Sequence, residues 1–321
     1  MPSTSDLRQS EPLAGVAGES IPVFAAADVL GEYDSDFIAR IRDACLGTGF
    51  LVIDPGVEML SSIAATVNRM QAFFSLDDSD PRKQEVRQDE SRNGWRPRYT
   101  EPAYQPGTVS GLEAFDLGVR EINSADDERW PDIPDFRGAV SRCWDDYLHL
   151  ADALLGLIAR AARLDNDFLV SRCQSRELNS LRLLHYAGDL PASSDKEVGI
   201  SAHTDFECIT LLYQDAPGLE LRATDGRWLD AEIGVGRIVV MLDDMIERWT
   251  NGFFAATGHR VRQTGERRFS IVMFMAVDGG LSIAPLAPFV SAGNPPRYEP
   301  TTQADHLCAE IRRARENSEQ A

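Results

Sequence analysis

Basic residues are scarce in this chain. Lys and Arg number 32 against 51 Asp and Glu, a formal net charge of −19. A surface this acidic repels phosphate backbones, so nucleic acid is not an expected partner. No apolar run approaches the roughly 20 residues of a membrane span, so no membrane partner is expected either. Cysteine is sparse and unpaired: Cys45, Cys143, Cys173, Cys208 and Cys308 are odd in number and form no CxxC. That argues against a disulfide framework and for reduced thiols in a cytoplasmic protein. Residues 1–20 lack a basic stretch followed by an apolar one, so they read as a disordered arm rather than a signal peptide. There is no internal repeat. Histidine occurs only five times, at His149, His185, His203, His259 and His306.

What remains is an ordinary globular balance, with 43% hydrophobic and 26% charged residues over 321 positions. Ile21–Phe24 reads as a first strand. Asp34 and Ser35 offer N-caps for a helix through Phe37, Ile41 and Cys45, and Phe50–Ile53 follows as a buried strand. A second helix is expected through Met59, Ile63, Val67 and Met70 to about Phe74. Residues 77–112 are charged and rich in Pro and Gly and read as a long irregular stretch. Pro134 and Asp135 open a long amphipathic helix ending near Leu164. From Leu178 the pattern changes to short strands: Leu181–Tyr186, Ile209–Tyr213, Leu219–Arg222, Trp228–Asp230, Arg237–Leu242, His259–Val261 and Arg268–Ala276. Short strands separated by turns predict an antiparallel sandwich or jelly roll. A last helix is expected near Ala304–Asn317.

Three residue patterns carry chemistry. Ser201–Tyr213 reads as one strand, which would send His203 and Asp205, two apart, to the same face. His259 lies 54 residues further on. Two imidazoles and one carboxylate on one side of a metal leave the other side open, the arrangement of non-haem Fe(II) oxygenases; a zinc hydrolase can use the same three residue types. Arg268 and Ser270 are again two apart on a strand. The planar guanidinium fork and a hydroxyl suit a carboxylate, although an edge-strand ion pair would use them too. On the Leu181–Tyr186 strand, Arg182 and Tyr186 share a face. An inward Arg needs an anion, supplied either by a substrate or by a protein Asp or Glu.

From about Ile21 onward the chain resembles the isopenicillin N synthase-like family of Fe(II)/2-oxoglutarate-dependent dioxygenases. The segments that carry the resemblance follow in family order. They are Ile21–Phe24, Cys45–Val52, Glu113–Gly118, Gly199–Asp205, Pro217–Leu221, Asp244–Gly252, Gly258–Val261 and Arg267–Ser270. The chain departs from the family at Leu184, where Asn is frequent, at Tyr186-Ala187, where Tyr-Pro is usual, and at Met241–Asp244, where Asn-Ile-Gly-Asp is more usual.

The resemblance implies an α+β fold, a distorted double-stranded β-helix (jelly roll) flanked by helices. It implies a single oxygenase domain over 21–321: a mainly helical part at 21–177, the jelly roll at 178–300 and a C-terminal helix at 301–321. It implies Fe(II) on His203, Asp205 and His259, with 2-oxoglutarate docked by Arg268, Ser270 and Tyr186 and O2 as the second co-substrate. The implied activity is oxidation of a small-molecule C–H bond (hydroxylation, desaturation or ring closure) in specialised metabolism, with release of succinate and CO2. Asp205 fills the position that related halogenases leave for chloride. An oxidase without 2-oxoglutarate and a non-catalytic binding protein on the same fold remain open alternatives. Segments 91–101 and 113–116 are the expected walls of the substrate pocket. Arg96, Arg98, Tyr99, Phe206 and Arg182 are the expected substrate contacts, Arg182 meeting an anionic or strongly polar group.

Overall fold

The computed structural model describes residues 13–14, 20–88, 93–124, 129–189, 197–230 and 235–319. The expected arm, residues 1–20, lies outside them except for Leu13, Ala14 and Ser20. Twelve strands build the two principal sheets. In chain order they are β1 (Val23–Ala25), β2 (Phe50–Asp54), β3 (Gly94–Arg96), β4 (Leu112–Gly118), β5 (Ser180–Tyr186), β6 (Ile200–His203), β7 (Ile209–Gln214), β8 (Leu219–Arg222), β9 (Trp228–Asp230), β10 (Ile238–Leu242), β11 (His259–Val261) and β12 (Arg268–Met275). The larger sheet has the order β1-β2-β10-β7-β12-β5-β4-β3 and the smaller β6-β11-β8-β9. The pairings are antiparallel except β1 with β2, so the two sheets form the expected jelly roll.

The larger sheet is buried on both faces. One face packs on helices α1 (Ser35–Gly47), α2 (Gly56–Phe74) and α3 (Phe136–Ala161). Asp34 caps α1 by accepting from the amide of Phe37 at 2.9 Å, and Phe37, Ile41 and Cys45 point into the core. The apolar stripe of α3, including Val140, Trp144, Leu154 and Ile158, meets Leu181, Leu183, Ile271 and Met273 from the sheet. A second cluster lies between the two sheets and includes Leu184, Tyr186, Leu212, Leu219, Leu221, Val239, Val261 and Val272. Alternation along each strand separates the clusters: Leu183 and Ile271 face the helices, Leu184 and Val272 the smaller sheet. A short helix α4 (Asp244–Trp249) and the C-terminal α5 (Gln303–Glu319) complete the frame.

Two expectations need correction. The 77–112 stretch is not wholly irregular, because Gly94–Arg96 pairs with β4 and joins the larger sheet. Its three residues, flanked by Arg, Asn and Pro, are too few for a period-2 signal. Ser201–Tyr213 is not one strand either. It breaks after His203 and resumes at Ile209. Residues 204–208 are instead held by backbone bonds to the start of α4, from Asp244 N to Asp205 O and from Met245 N to Glu207 O.

Candidate active site

His203 and His259 stand opposite each other in the β6–β11 pair, with ring centroids 4.2 Å apart. Antiparallel register, rather than a shared strand, brings them together. Asp205 arrives from the loop after β6. The Nε2 atoms of His203 and His259 lie 3.4 and 3.6 Å from Asp205 Oδ1. Each Nδ1 faces a carbonyl oxygen, Ser201 at 2.8 Å and Thr257 at 3.2 Å. A carbonyl only accepts, so Nδ1 carries the proton and Nε2 keeps its lone pair facing inward. Thr257 is itself fixed: its hydroxyl donates to Gly49 O at 2.6 Å and accepts from Leu242 N at 3.1 Å.

The electrostatics suit a cation. Burial pushes the Asp205 carboxyl up, but the neighbouring imidazoles outweigh it and hold it down at about 2. Burial lowers His259 to about 4, so its ring is neutral at neutral pH. Asp205 Oδ2 is buried and has no hydrogen-bond partner. Ligand atoms of the three residues lie within 4.8 Å of one another. An orphaned carboxylate oxygen and two inward lone pairs fit a small divalent ion.

A narrow chamber of about 40 Å³ runs between the sheets beside this triad. Tyr186, Arg268 and Ser270 line it, since Arg268 is the register partner of Tyr186 and Ser270 that of Leu184. Arg268 is 3% exposed. Its guanidinium lies 3.8 Å from the Tyr186 ring centroid and 3.4 Å from the carbonyl of Pro217, with Nε unpartnered. Burial pulls it below the ordinary arginine value. Among the described residues it has no ion-pair partner. The buried Tyr186 hydroxyl makes no hydrogen bond of good geometry. Gly218, at φ +141°, leaves room for this guanidinium: a Cβ there would lie 2.1 Å from Arg268 Nη1.

The chamber meets an outer cleft of about 760 Å³, and the two share Tyr104, Arg182, Asp205 and Phe274. Phe206 and Arg96 also line the cleft. Arg182 reaches this wall, but its anion is internal. It donates from Nε to Asp116 at 2.8 Å and from its two terminal nitrogens to Glu101 at 3.0 and 2.8 Å. The expectation that Arg182 needs a substrate anion is therefore overturned. Arg96 is paired with the same Glu101 and Asp116. Arg98 and Tyr99 are not brought to the cavities: Arg98 pairs with Asp189 at 2.7 Å, and Tyr99 is 49% exposed. Of the expected wall segments, 91–92 lie outside the described residues. Glu113 faces the helices, where it accepts from Lys83, Trp95 and His185 at 2.8–2.9 Å; Asp116 faces the cleft.

Sequence reasoning missed Tyr104, whose ring stacks on His203 with centroids 4.0 Å apart and 7° between planes. It also missed Glu101, 81 residues from the Arg182 it pairs with, and Glu207, buried on the cleft wall beside Asp205. No local pattern marks any of the three.

Residues 178–277 match the model of the 2OG-Fe(II) oxygenase superfamily. The 2-oxoglutarate-dependent dioxygenase ecdK of Aspergillus rugulosus is 30% identical over 83% of this chain and 90% of its own length. A 2-oxoglutarate-Fe(II) type oxidoreductase of Aspergillus fumigatus is 26% identical over 87% of each chain. Among solved structures, a full-length Neurospora crassa protein in complex with alpha-KG superposes with a TM-score of 0.78 at 22% identity, covering 95% of this chain and all of that one. The matched region carries β5 to β12, the strands around which the triad and Arg268 are arranged. On this agreement of sequence and architecture the chain belongs to the 2OG-Fe(II) oxygenase superfamily and is an Fe(II)- and 2-oxoglutarate-dependent dioxygenase.

Proposed function

We propose that His203, Asp205 and His259 hold the Fe(II), and that Arg268, Ser270 and Tyr186 receive the far carboxylate of 2-oxoglutarate. The reacting C–H bond of a small molecule is presented from the outer cleft. One observation carries this reading: Arg268 has no anion among the described residues, whereas Arg96 and Arg182 each have two. A buried guanidinium without an anion is costly, and a dicarboxylic acid entering the chamber removes that cost. The planar fork donates to one carboxylate, and the Ser270 and Tyr186 hydroxyls add donors beside it.

Iron, 2-oxoglutarate and O2, when bound, supply the oxidising power that breaks a C–H bond, with succinate and CO2 as co-products. The chain supplies position and dryness. The two backbone carbonyls behind the histidines fix ring planes and proton positions. Leu184, Ile200, Leu212, Leu219, Val261 and Val272 line the chamber and exclude water around the charged groups. Specialised metabolism is the proposed setting. The Neurospora crassa neighbour has also been crystallised with thymine, in keeping with a small-molecule substrate here. No described helix is long and apolar enough to cross a membrane.

The test is product analysis with Fe(II), 2-oxoglutarate and O2. The parent chain should form succinate in step with 2-oxoglutarate loss, slowly even without a primary substrate. Asp205→Ala should form none above the level of free iron. Equal succinate from both chains, or none from the parent, would reject the assignment.

A further inference from the structure

The outer cleft, at about 760 Å³, suits a molecule well beyond the size of a simple amino acid. Its chemistry follows from which charges are already met. This inference rests on the proposed function only for which end of the cleft faces the metal residues. Arg182 lies where the cleft meets the chamber and Arg96 lines the cleft, and Glu101 and Asp116 neutralise them two for two, every side chain at most 14% exposed. A substrate carboxylate at these arginines would add a further negative charge beside Glu101 and Asp116, which already match the two guanidiniums. Glu121 and Glu177 add further acidic side chains to the same cleft. The other cleft arginines, Arg120, Arg129 and Arg315, are exposed at the rim, where a charge contributes little.

Beside polar residues such as Asn93, Ser124, Asn179 and Ser180, the cleft carries an aromatic and apolar strip. Tyr104 lies flat on His203, and Phe206 meets the Tyr104 ring at 62° with centroids 6.0 Å apart. Phe274 and, from α5, Leu307 and Ile311 also line the cleft. Flat rings pack well on such surfaces, face to face or edge to face. The carboxylates of Glu101 and Asp116 each offer about four lone-pair sites, more than the two arginines occupy, so O–H and N–H groups find acceptors there.

We infer that the substrate is an uncharged, flat, ring-bearing molecule carrying hydroxyl or N–H donors, seated against Tyr104 and Phe206, and that Glu101 and Asp116 select it against anions. The test is calorimetric titration of 2-naphthol and 2-naphthoate, one bicyclic ring with a hydroxyl or a carboxylate, into the full chain loaded with Mn(II) and 2-oxoglutarate. The 2-naphthol should bind at least about tenfold tighter, and Phe206→Leu should weaken it at least about fivefold. Glu101→Gln removes one of the two neutralising charges and should shift the preference toward 2-naphthoate; Asp116→Asn tests the same point should that variant fold poorly. Tighter or equal binding of 2-naphthoate by the parent, or no binding of either at about 1 mM, overturns the inference. The wall does not depend on the metal, so the unloaded chain should give the same ranking. A chain that fails to load Mn(II) and 2-oxoglutarate yet prefers 2-naphthol would instead count against the proposed function alone.

Discussion

Arg182 and Arg268 stand on paired strands and line the same chamber, yet only one of them is neutralised by its own chain. That difference yields the first prediction at the scale of a residue. Truncating one partner of a buried, charge-assisted contact costs about 2–5 kcal/mol, so Arg268→Gln should raise the dissociation constant for 2-oxoglutarate at least about tenfold. Calorimetry on the metal-loaded chain measures it directly, and an unchanged constant would remove Arg268 from the site. Glu207 gives a second. Burial first, and the Asp205 charge second, push its carboxyl from 4.5 up to about 8. The folded chain therefore keeps a proton that the unfolded chain releases. The stability from this group is full below pH 4.5 and is lost as pH rises through about 8. The metal-free parent should melt lower at about pH 9 than at about pH 6, and Glu207→Gln should flatten that slope. Identical slopes would contradict it. At this scale the candidate site was legible where residue type, order and spacing act together, as for His203, Asp205, His259, Arg268, Ser270 and Tyr186, which the fold gathers around one chamber. It was not legible where a partner comes from a distant segment. Glu101 finds Arg182 across 81 residues, and nothing local separates Arg98, which leaves the site, from Arg96, which lines it.

Elements set the site through their ends and turns. His203 closes β6, and the loop after it carries Asp205 back beside His203 and His259 because α4 holds its backbone. An i, i+2 reading grouped His203 with Asp205 by the wrong geometry: apolar residues on both sides of the break hide a five-residue loop inside one apparent strand. Most other strands were legible because both faces of the larger sheet are buried, which gives continuous apolar runs such as Ile238–Leu242. Gly94–Arg96 was not, because pairing with β4, not composition, makes it a strand. Gly218 tests the role of a turn. It and Gly236 both have positive φ, but an added Cβ meets Arg268 only at Gly218 and open space at Gly236. Gly218→Ala should therefore weaken 2-oxoglutarate at least about tenfold, while Gly236→Ala stays within about twofold. Equal effects would contradict a role for the contact between this turn and the Arg268 guanidinium.

At the scale of the whole molecule, the N-terminal part is not a separate helical layer. It contributes β1 to β4, half the strands of the larger sheet, and β4 pairs with the strand that carries Arg182 and Tyr186. The chamber, the cleft and the helices that support them thus belong to one hydrogen-bonded framework. On the proposed reading His203, Asp205 and His259 would hold the metal ion, and Arg268, Ser270 and Tyr186 would receive the far carboxylate of the dicarboxylate, so each ligand would favour binding of the other. The most direct measurement is an anaerobic calorimetric titration of 2-oxoglutarate into the chain with and without one equivalent of Mn(II). The account predicts one 2-oxoglutarate per chain, at least about tenfold tighter with the metal, and loss of that enhancement in Asp205→Ala. Binding of equal strength with and without metal, or an enhancement that survives in Asp205→Ala, would contradict it.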